Sequence, residues 1–300
     1  MTLLGTEERI LRVPEYLEGF WAERLLFAPE AKLFCGYEGG HLIEWDVNNG
    51  GDVRRFHGHT SLVRSMALLP GGQFVSTSLD STLIIWDIAT GNIRRTLEGH
   101  RGRVNCVVVL TDGSVVSGGD DGTIRVWDIV TGECTKLFRD RESVKCVAVL
   151  GDGRVVSGGG RDSNLHVWSI HTGQRTELRP PTTTGTSLST ICVLALTDGR
   201  VVSGGADPEG FAHVWDVTTG QCTTIPTGHQ RKLMAMAELP DGRVVSGAFF
   251  DSTLRVWDPS TGVSSTTLVG HADRDSVRSV IVLPDGRVVS GSTNDIRVWR

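Results

Sequence analysis

The chain has 300 residues, of which 39% are hydrophobic and 22% are charged, and its formal net charge is -5. This composition is typical of a globular protein with a large core and excludes an intrinsically disordered chain. The net negative charge disfavours a general nucleic-acid binder, which usually carries a strong basic excess.

The amino-terminal region predicts no targeting or membrane segment. Its charged residues leave no apolar run of the kind found in a signal peptide, and no stretch of the chain approaches the roughly 20 apolar residues of a membrane span. Residues 8–13, ERILRV, form a spare strand ahead of the first repeat. We therefore expect no membrane insertion and a cytoplasmic location, with the nucleus as the alternative.

A fixed period runs through the rest of the chain. Seven tryptophans recur at spacings of 41 to 47 residues, namely Trp45, Trp86, Trp127, Trp168, Trp215, Trp257 and Trp299. Each unit holds four short runs rich in Val, Ile and Thr, and in the run GTIRVWD the side chains of Ile124 and Val126 alternate with Thr123 and Arg125, as in a strand. Asp-Gly pairs between the first two runs indicate hairpin turns. The sequence predicts an all-β protein of seven four-stranded antiparallel units.

Two recurring dipeptides carry a family resemblance. Gly-His pairs stand at the start of several units, at His59, His100, His229 and His271, and Trp-Asp pairs end several third strands. Together with the period, they resemble the WD repeat. The resemblance implies one seven-bladed β-propeller over residues 1–300, with residues 8–13 completing the last blade and closing the ring.

Three units bring together a His, a Ser, an Asp and the repeated Trp. These sets are His59, Ser76, Asp80 and Trp86; His100, Ser117, Asp121 and Trp127; and His229, Ser246, Asp251 and Trp257. A His, a Ser and an Asp can form a hydrolytic site, but an active site is needed once, whereas this set recurs around the ring. The resemblance implies a structural hydrogen-bond network, so we predict no catalytic residue and no single polar cluster that breaks the repeat symmetry. Blades two, three and six are expected to be the stiffest.

The six cysteines predict neither a metal nor a cofactor. They form no CxxC pair and have no His/Cys spacing suited to zinc. Cys106, Cys146 and Cys192 recur at the same place in successive apolar runs, which predicts buried, reduced thiols.

Residues that vary from repeat to repeat mark the candidate binding surface. By the resemblance, the first strand of each unit begins at the channel mouth on the top face, and the residue before the turn Asp faces the same mouth. The partner-binding candidates are Arg64, Lys145, Arg161, Arg278, Asn105, Met234, Phe249 and Phe250. Neighbours along an extended strand point to opposite sides, so one of Phe249 and Phe250 should be exposed.

These features predict a non-catalytic scaffold that binds a peptide or a partner domain on the top face, as a monomeric propeller within a larger complex. Arg64, Lys145, Arg161 and Arg278 resemble the rim of WD propellers that read phosphorylated or acidic peptides, because guanidinium groups bind phosphate with paired hydrogen bonds. Solvated rim charges without a ligand are the simpler alternative. An RNA-associated subunit is a further alternative, although acidic residues interrupt the basic ones.

Overall fold

A computed structural model of the protein describes residues 7–12, 22–48, 51–140, 142–160, 163–180, 189–207, 209–272, 274–293 and 295–300. These residues contain 28 β-strands and one 3-10 turn, Glu38–Gly40. The strands form seven antiparallel sheets of four strands each, which are the blades of a propeller. The described residues contain no helix long and apolar enough to cross a membrane.

The first three blades follow the chain order. Blade one contains β2 (Arg24–Ala28), β3 (Lys32–Gly36), β4 (Leu42–Asp46) and β5 (Asp52–Phe56). Blade two contains β6 (Val63–Leu69), β7 (Gln73–Ser78), β8 (Leu83–Asp87) and β9 (Ile93–Leu97). Blade three contains β10 (Val104–Val109), β11 (Val115–Gly119), β12 (Thr123–Trp127) and β13 (Cys134–Arg139).

The next three blades repeat this arrangement. Blade four contains β14 (Cys146–Val149), β15 (Val155–Gly158), β16 (Leu165–Trp168) and β17 (Arg175–Leu178). Blade five contains β18 (Thr190–Ala195), β19 (Val201–Gly205), β20 (Phe211–Trp215) and β21 (Cys222–Pro226). Blade six contains β22 (Leu233–Glu238), β23 (Val244–Ala248), β24 (Thr253–Trp257) and β25 (Ser264–Val269).

The seventh blade joins the two ends of the chain. It contains β26 (Ser279–Val282), β27 (Val288–Gly291) and β28 (Asp295–Trp299), and its outer strand is β1 (Glu7–Arg12). In the register of this pair, Leu11 lies opposite Ile296 and Arg12 opposite Asp295. The predicted closure of the ring is therefore confirmed. The structure shifts the predicted strand by one residue, and Val13 lies outside the described residues.

Turn geometry explains the hairpins between first and second strands. The glycines that follow the turn aspartates have φ values between 84° and 91°, namely Gly113, Gly153, Gly199, Gly242 and Gly286. This left-handed conformation is open to glycine at little cost, whereas a β-carbon makes it strained. The Asp-Gly pairs therefore set where each inner strand ends and the next strand begins.

The apolar core lies between neighbouring blades. One cluster, for example, joins Val116 and Val126 of blade three to Val144, Val155 and Trp168, which lie in or just before blade four. The described cysteines are all free thiols, and Cys106, Cys146 and Cys192 are buried. At the centre, the inner strands surround a cavity of about 530 Å³.

Closure makes β1 a sensitive element. Leu11 is fully buried in the core cluster that also contains Ile296 and Val298, whereas its neighbour Ile10 is 38% exposed. We expect Leu11→Ala to lower the free energy of unfolding by about 2 to 5 kcal/mol, because the shortened side chain leaves a cavity.

Urea unfolding of purified protein measures this effect. Ile10→Ala is the matched control on the same strand, and we expect it to cost less than about 1 kcal/mol. Equal losses for the two variants would contradict a closing role for the buried face of β1.

Candidate functional site

The upper face is defined here as the end of the ring at which the inner strands begin. Because successive strands are antiparallel, the turns between second and third strands lie on the same face. Glu23, just before β2, is 4% exposed and accepts hydrogen bonds from Arg64 on one side and from Arg278 on the other, the latter at 3.0 Å. The structure thus brings two predicted rim arginines together on one buried carboxylate.

A second ionic group lies between blades three and four. Asp120 Oδ1 accepts hydrogen bonds from Lys145 Nζ at 2.6 Å, Ser143 Oγ at 2.6 Å and Asn105 Nδ2 at 2.8 Å. Burial raises the pKa of Asp120, but these three hydrogen bonds outweigh it and lower the pKa to about 2. Asn105 is 3% exposed and also donates to the carbonyl oxygen of Val144, so it positions Asp120 and does not face solvent.

The remaining rim candidates differ in position. Met234 is half-buried at the start of β22, and Arg161 lies outside the described residues. The sequence did not reveal that Glu23 and Asp120 compensate the basic side chains. The available signal was that Glu23 occupies the repeat position of Arg64 and Arg278, which places it beside both in the ring.

An aromatic pair projects from the upper face of blade six. The rings of Phe249 and Phe250 lie 4.0 Å apart between centroids, and Phe250 is 55% exposed. Lys232 Nζ lies 4.2 Å from the Phe249 ring centroid, and Arg278 Cζ lies 5.8 Å from it. Both distances are those of cation–π contacts. We call these four residues the aromatic–cation patch.

The two phenylalanines do not point to opposite sides of a strand. Phe250 has a φ of 54°, a left-handed conformation, and its N–H donates to Ser276 Oγ at 3.1 Å. Opposite directions were expected only for an extended backbone, and Phe250 is not extended. The expectation that one ring is exposed agrees with the position of Phe250.

The predicted hydrogen-bond network is present between the blades. In blade two, Trp86 Nε1 donates to Ser76 Oγ at 2.7 Å, Ser76 Oγ lies 2.7 Å from His59 Nε2, and His59 Nδ1 lies 2.9 Å from Asp80. Each donor and acceptor is satisfied if Ser76 donates to a neutral imidazole whose Nδ1–H donates to the carboxylate.

The other two predicted sets repeat these contacts. In blade three, the His100 to Ser117 distance is 2.8 Å, and His100 lies 3.1 Å from Asp121. Burial lowers the pKa of His100 despite the carboxylate of Asp121, which favours the neutral imidazole. In blade six the corresponding distances are 2.9 Å for His229 to Ser246 and 2.7 Å for His229 to Asp251. Trp127 and Trp257 donate to Ser117 and Ser246 at 2.8 and 3.0 Å.

Family comparison agrees with this geometry. The family model for the WD domain, G-beta repeat (WD40), matches residues 50–87, 91–128, 132–169, 220–258 and 262–300, which together make up more than half of the chain. The chain belongs to the WD40 repeat family. The unmatched stretches contain most of blades one and five, whose repeats depart most from the common pattern.

Similarity to individual curated proteins is confined to short segments. The chain is 42% identical over 50 residues to the probable cytosolic iron-sulfur protein assembly protein 1 of Mycosarcoma maydis, covering 16% of this chain and 11% of that protein. It is 36% identical over 58 residues to the nuclear distribution protein PAC1 of Coccidioides posadasii, covering 19% of this chain and 12% of that protein. The matches thus span little more than a tenth of these relatives.

Blade seven of this WD40 propeller has a complete network that the sequence did not reveal. His271 lies 2.6 Å from Asp295 and 2.7 Å from Ser290, which accepts a hydrogen bond from Trp299 at 2.8 Å. In blades two, three and six the Asp stands six residues before the Trp, whereas Asp295 stands four before it, at the position of Thr123 in blade three. A search at the usual offset therefore misses it.

The same part of blade seven contains a group of three metal-ligating side chains, the one such group found among the described residues. Donor atoms of His271, Asp275 and Asp295 lie within 4.8 Å of one another. Both ring nitrogens of His271 are already hydrogen-bonded, and Arg297 forms an ion pair with Asp295 at 2.7 Å. These contacts fit a structural network better than a metal centre.

In blade four, the aspartate and the histidine of the network exchange positions. Asp140 occupies the loop position of the usual His, and its carboxylate lies 2.7 Å from Nδ1 of His166 on the third strand. The prediction that no polar cluster breaks the repeat symmetry was therefore wrong. The nearby hydroxyls have other partners, since Ser143 donates to Asp120 and Ser157 accepts from Trp168 at 2.8 Å.

Blades five and one keep less of the WD40 network. In blade five, Trp215 still donates to Ser203 at 2.8 Å. In blade one, Cys35 replaces the serine, and Trp45 Nε1 is buried without a hydrogen-bond partner in the described part of the protein. Blade one is thus the exception to the indole–serine bond.

Because of this network, the free energy of unfolding should depend on pH in the acidic range. Burial raises the pKa of Asp251 and of Asp295, but hydrogen bonds from His229 and His271 outweigh it and lower both pKa values to about 2. A folded-state pKa below the unfolded value of 3.8 adds stability above about pH 4, and this stability is lost as the pH falls towards 2. Between about pH 4 and pH 2, we expect the free energy of unfolding of Asp251→Asn to fall by about 2 kcal/mol less than that of the wild type.

Chemical unfolding at a series of pH values measures this slope. Asp241→Asn removes an exposed carboxylate of the same blade and is expected to keep most of the wild-type slope, because solvent screens exposed ion pairs. If Asp251→Asn kept the full wild-type slope, Asp251 would not be the titrating group.

The unpaired indole N–H of Trp45 in blade one predicts a stabilising substitution. We expect Cys35→Ser to raise the free energy of unfolding by about 1 kcal/mol, because the new hydroxyl gives Trp45 Nε1 an acceptor. Cys106→Ser, at another buried site but one without an unpaired indole, serves as the control and should give no gain in stability. A loss of stability on Cys35→Ser would contradict this account of Trp45.

Proposed function

We propose that this WD40 propeller is a non-catalytic scaffold that binds a partner protein through the aromatic–cation patch, and that the bound segment combines an apolar anchor with acidic side chains. The proposal rests on the family, whose members typically bind other proteins, and on the chemistry of the upper face.

The exposed ring of Phe250 carries the proposal. It is 55% exposed, and its backbone adopts a left-handed conformation that is costly for a bulky residue. A turn with only a structural role needs neither feature. Aromatic residues are favoured at binding hot spots because they bury a large area at a small entropy cost.

The surroundings of the patch favour an acidic partner. Lys232 and Arg278 both lie over the Phe249 ring. Arg278 is already ion-paired with Glu23, whereas Lys232 has no ion pair among the described residues, so Lys232 is the cation that an acidic side chain would meet. An acidic side chain beside the aromatic anchor would supply complementary charge, which improves both specificity and the rate of association.

A phosphopeptide reader is the weaker alternative. Arg64, Lys145 and Arg278 each form an ion pair with a carboxylate of the protein itself. A phosphate group would have to displace Glu23 or Asp120, whereas an apolar anchor on Phe250 displaces only water. The same ion pairs disfavour an RNA-binding stripe along this rim.

Loss of the exposed ring tests the scaffold proposal. A partner is identified by affinity capture and mass spectrometry, and its affinity for purified variants is then measured by calorimetry. We expect Phe250→Ala to weaken binding at least about tenfold, as is usual for a buried aromatic anchor. Lys232→Ala should weaken binding less and make it less sensitive to salt.

The matched control lies at the opposite end of a blade. Val130, in the turn between β12 and β13, is 77% exposed, and Val130→Ala should leave affinity unchanged. Full affinity of Phe250→Ala, or equal losses in both variants, would contradict binding through the aromatic–cation patch.

A further inference from the structure

One level of the channel, just below the mouth, has an unusual set of side chains. The equivalent residues of blades one to seven at this level are Arg24, Ser65, Cys106, Cys146, Cys192, Ala235 and Ser279. All of them line the central cavity of about 530 Å³, and Arg24 is the one charged side chain among the described residues of its lining.

The guanidinium group of Arg24 is hydrogen-bonded through one of its three nitrogens in the described part of the protein. Its Nε donates to the carbonyl oxygen of Arg64 at 3.3 Å, while its terminal nitrogens donate to no acceptor in the described part of the chain. The side chain is half-buried and lines the cavity. The carboxylate of neighbouring Glu23 already binds both Arg64 and Arg278.

Two serine hydroxyls flank Arg24 in the ring. Ser279 Oγ accepts the N–H of Leu25 at 2.9 Å, and Ser65 Oγ accepts the N–H of Val107 at 3.3 Å. Neither hydroxyl hydrogen has an acceptor among the described residues, although Ser65 and Ser279 are only 7% and 1% exposed. A buried hydroxyl normally uses its hydrogen, so both are donors available to a ligand.

The opposite wall supplies no negative charge. Burial raises the pKa of Cys106 and of Cys192 to about 12, and it raises the pKa of Cys146 well above its usual value. The three thiols are therefore neutral at physiological pH. This level of the channel offers hydrogen-bond donors around a cation and no anionic acceptor.

The rest of the cavity is mostly apolar. Its lining includes Leu26, Met66, Val147, Met236 and Val280. An inorganic anion has no apolar body and would leave the apolar region of the cavity unfilled. A ligand with an acidic head and a short apolar body matches both parts of the cavity.

We propose that the channel binds a small aliphatic carboxylate, with its carboxylate group on Arg24 and the hydroxyls of Ser65 and Ser279 and its apolar body along Met66 and Met236. The terminal nitrogens of a guanidinium group suit the two oxygens of a carboxylate. This site lies inside the channel, so it does not depend on protein binding at the aromatic–cation patch.

Calorimetric titration with sodium hexanoate at constant ionic strength tests the proposal on the whole chain. We expect the wild type to bind with a dissociation constant of about 1 mM or tighter, and Arg24→Met to weaken binding at least about tenfold, because it removes the charge-assisted hydrogen bonds. Phe250→Ala should bind hexanoate like the wild type. Acetate and phosphate should bind more weakly than hexanoate.

Folding of the variant is measured separately. Three arginines lie around Glu23, so removal of Arg24 should not lower the unfolding midpoint without ligand. Met236→Trp is a second variant, which fills the apolar part and leaves Arg24 in place, and it should weaken hexanoate more than acetate. Absence of hexanoate binding to the wild type, or equal hexanoate affinity of the wild type and Arg24→Met, would overturn the proposal. Equal affinity of the wild type for acetate and hexanoate would overturn the assigned ligand class.

Discussion

The indole N–H of each repeat tryptophan sets the main constraint on this propeller. The tryptophan is buried between two blades, where water cannot reach its single donor, and an unpaired buried donor costs about 1 to 3 kcal/mol. In six described blades a serine on the second strand accepts this bond, at 2.7 to 3.0 Å. In four of them the serine also contacts a histidine from the loop before the blade. Packing between the blades thereby fixes the loops of the upper face.

This coupling matters most in blade six. Phe250 immediately precedes Asp251, whose carboxylate is bound to His229 at 2.7 Å. The exposed ring is therefore next to one of the most firmly held positions of the turn. A side chain held in place before binding loses little conformational entropy when a partner covers it. The network that stabilises the blade thus also holds the aromatic–cation patch in the form that is proposed to bind a partner.

The sequence predicted the features that depend on local pattern. Tryptophan spacing and Asp-Gly turns give the seven blades, and the spare strand at residues 8–13 gives the closure, because each signal lies within a few residues of the structure that it specifies. The network of blade seven was missed because Asp295 reaches His271 from the usual threonine position. The ion pairs of Glu23 join residues 41 and 255 positions apart, and no single repeat contains that information. Likewise, the direction of Phe250 depends on a left-handed backbone that its residue type does not favour.

Blade one shows how the two kinds of polar interaction divide the ring. It has no serine for Trp45, yet it contributes Glu23, which bridges blades two and seven at the upper face. A buried ion pair adds little net stability compared with apolar packing, because both charges lose their hydration. Its effect is geometric: the two arginines can approach Glu23 only when blades seven, one and two are correctly aligned. Since blade seven contains both ends of the chain, this ionic bridge lies next to the closure of the ring. It therefore specifies the arrangement of the blades where the tryptophan network is weakest, and it holds the upper end of the channel in a fixed shape above Arg24.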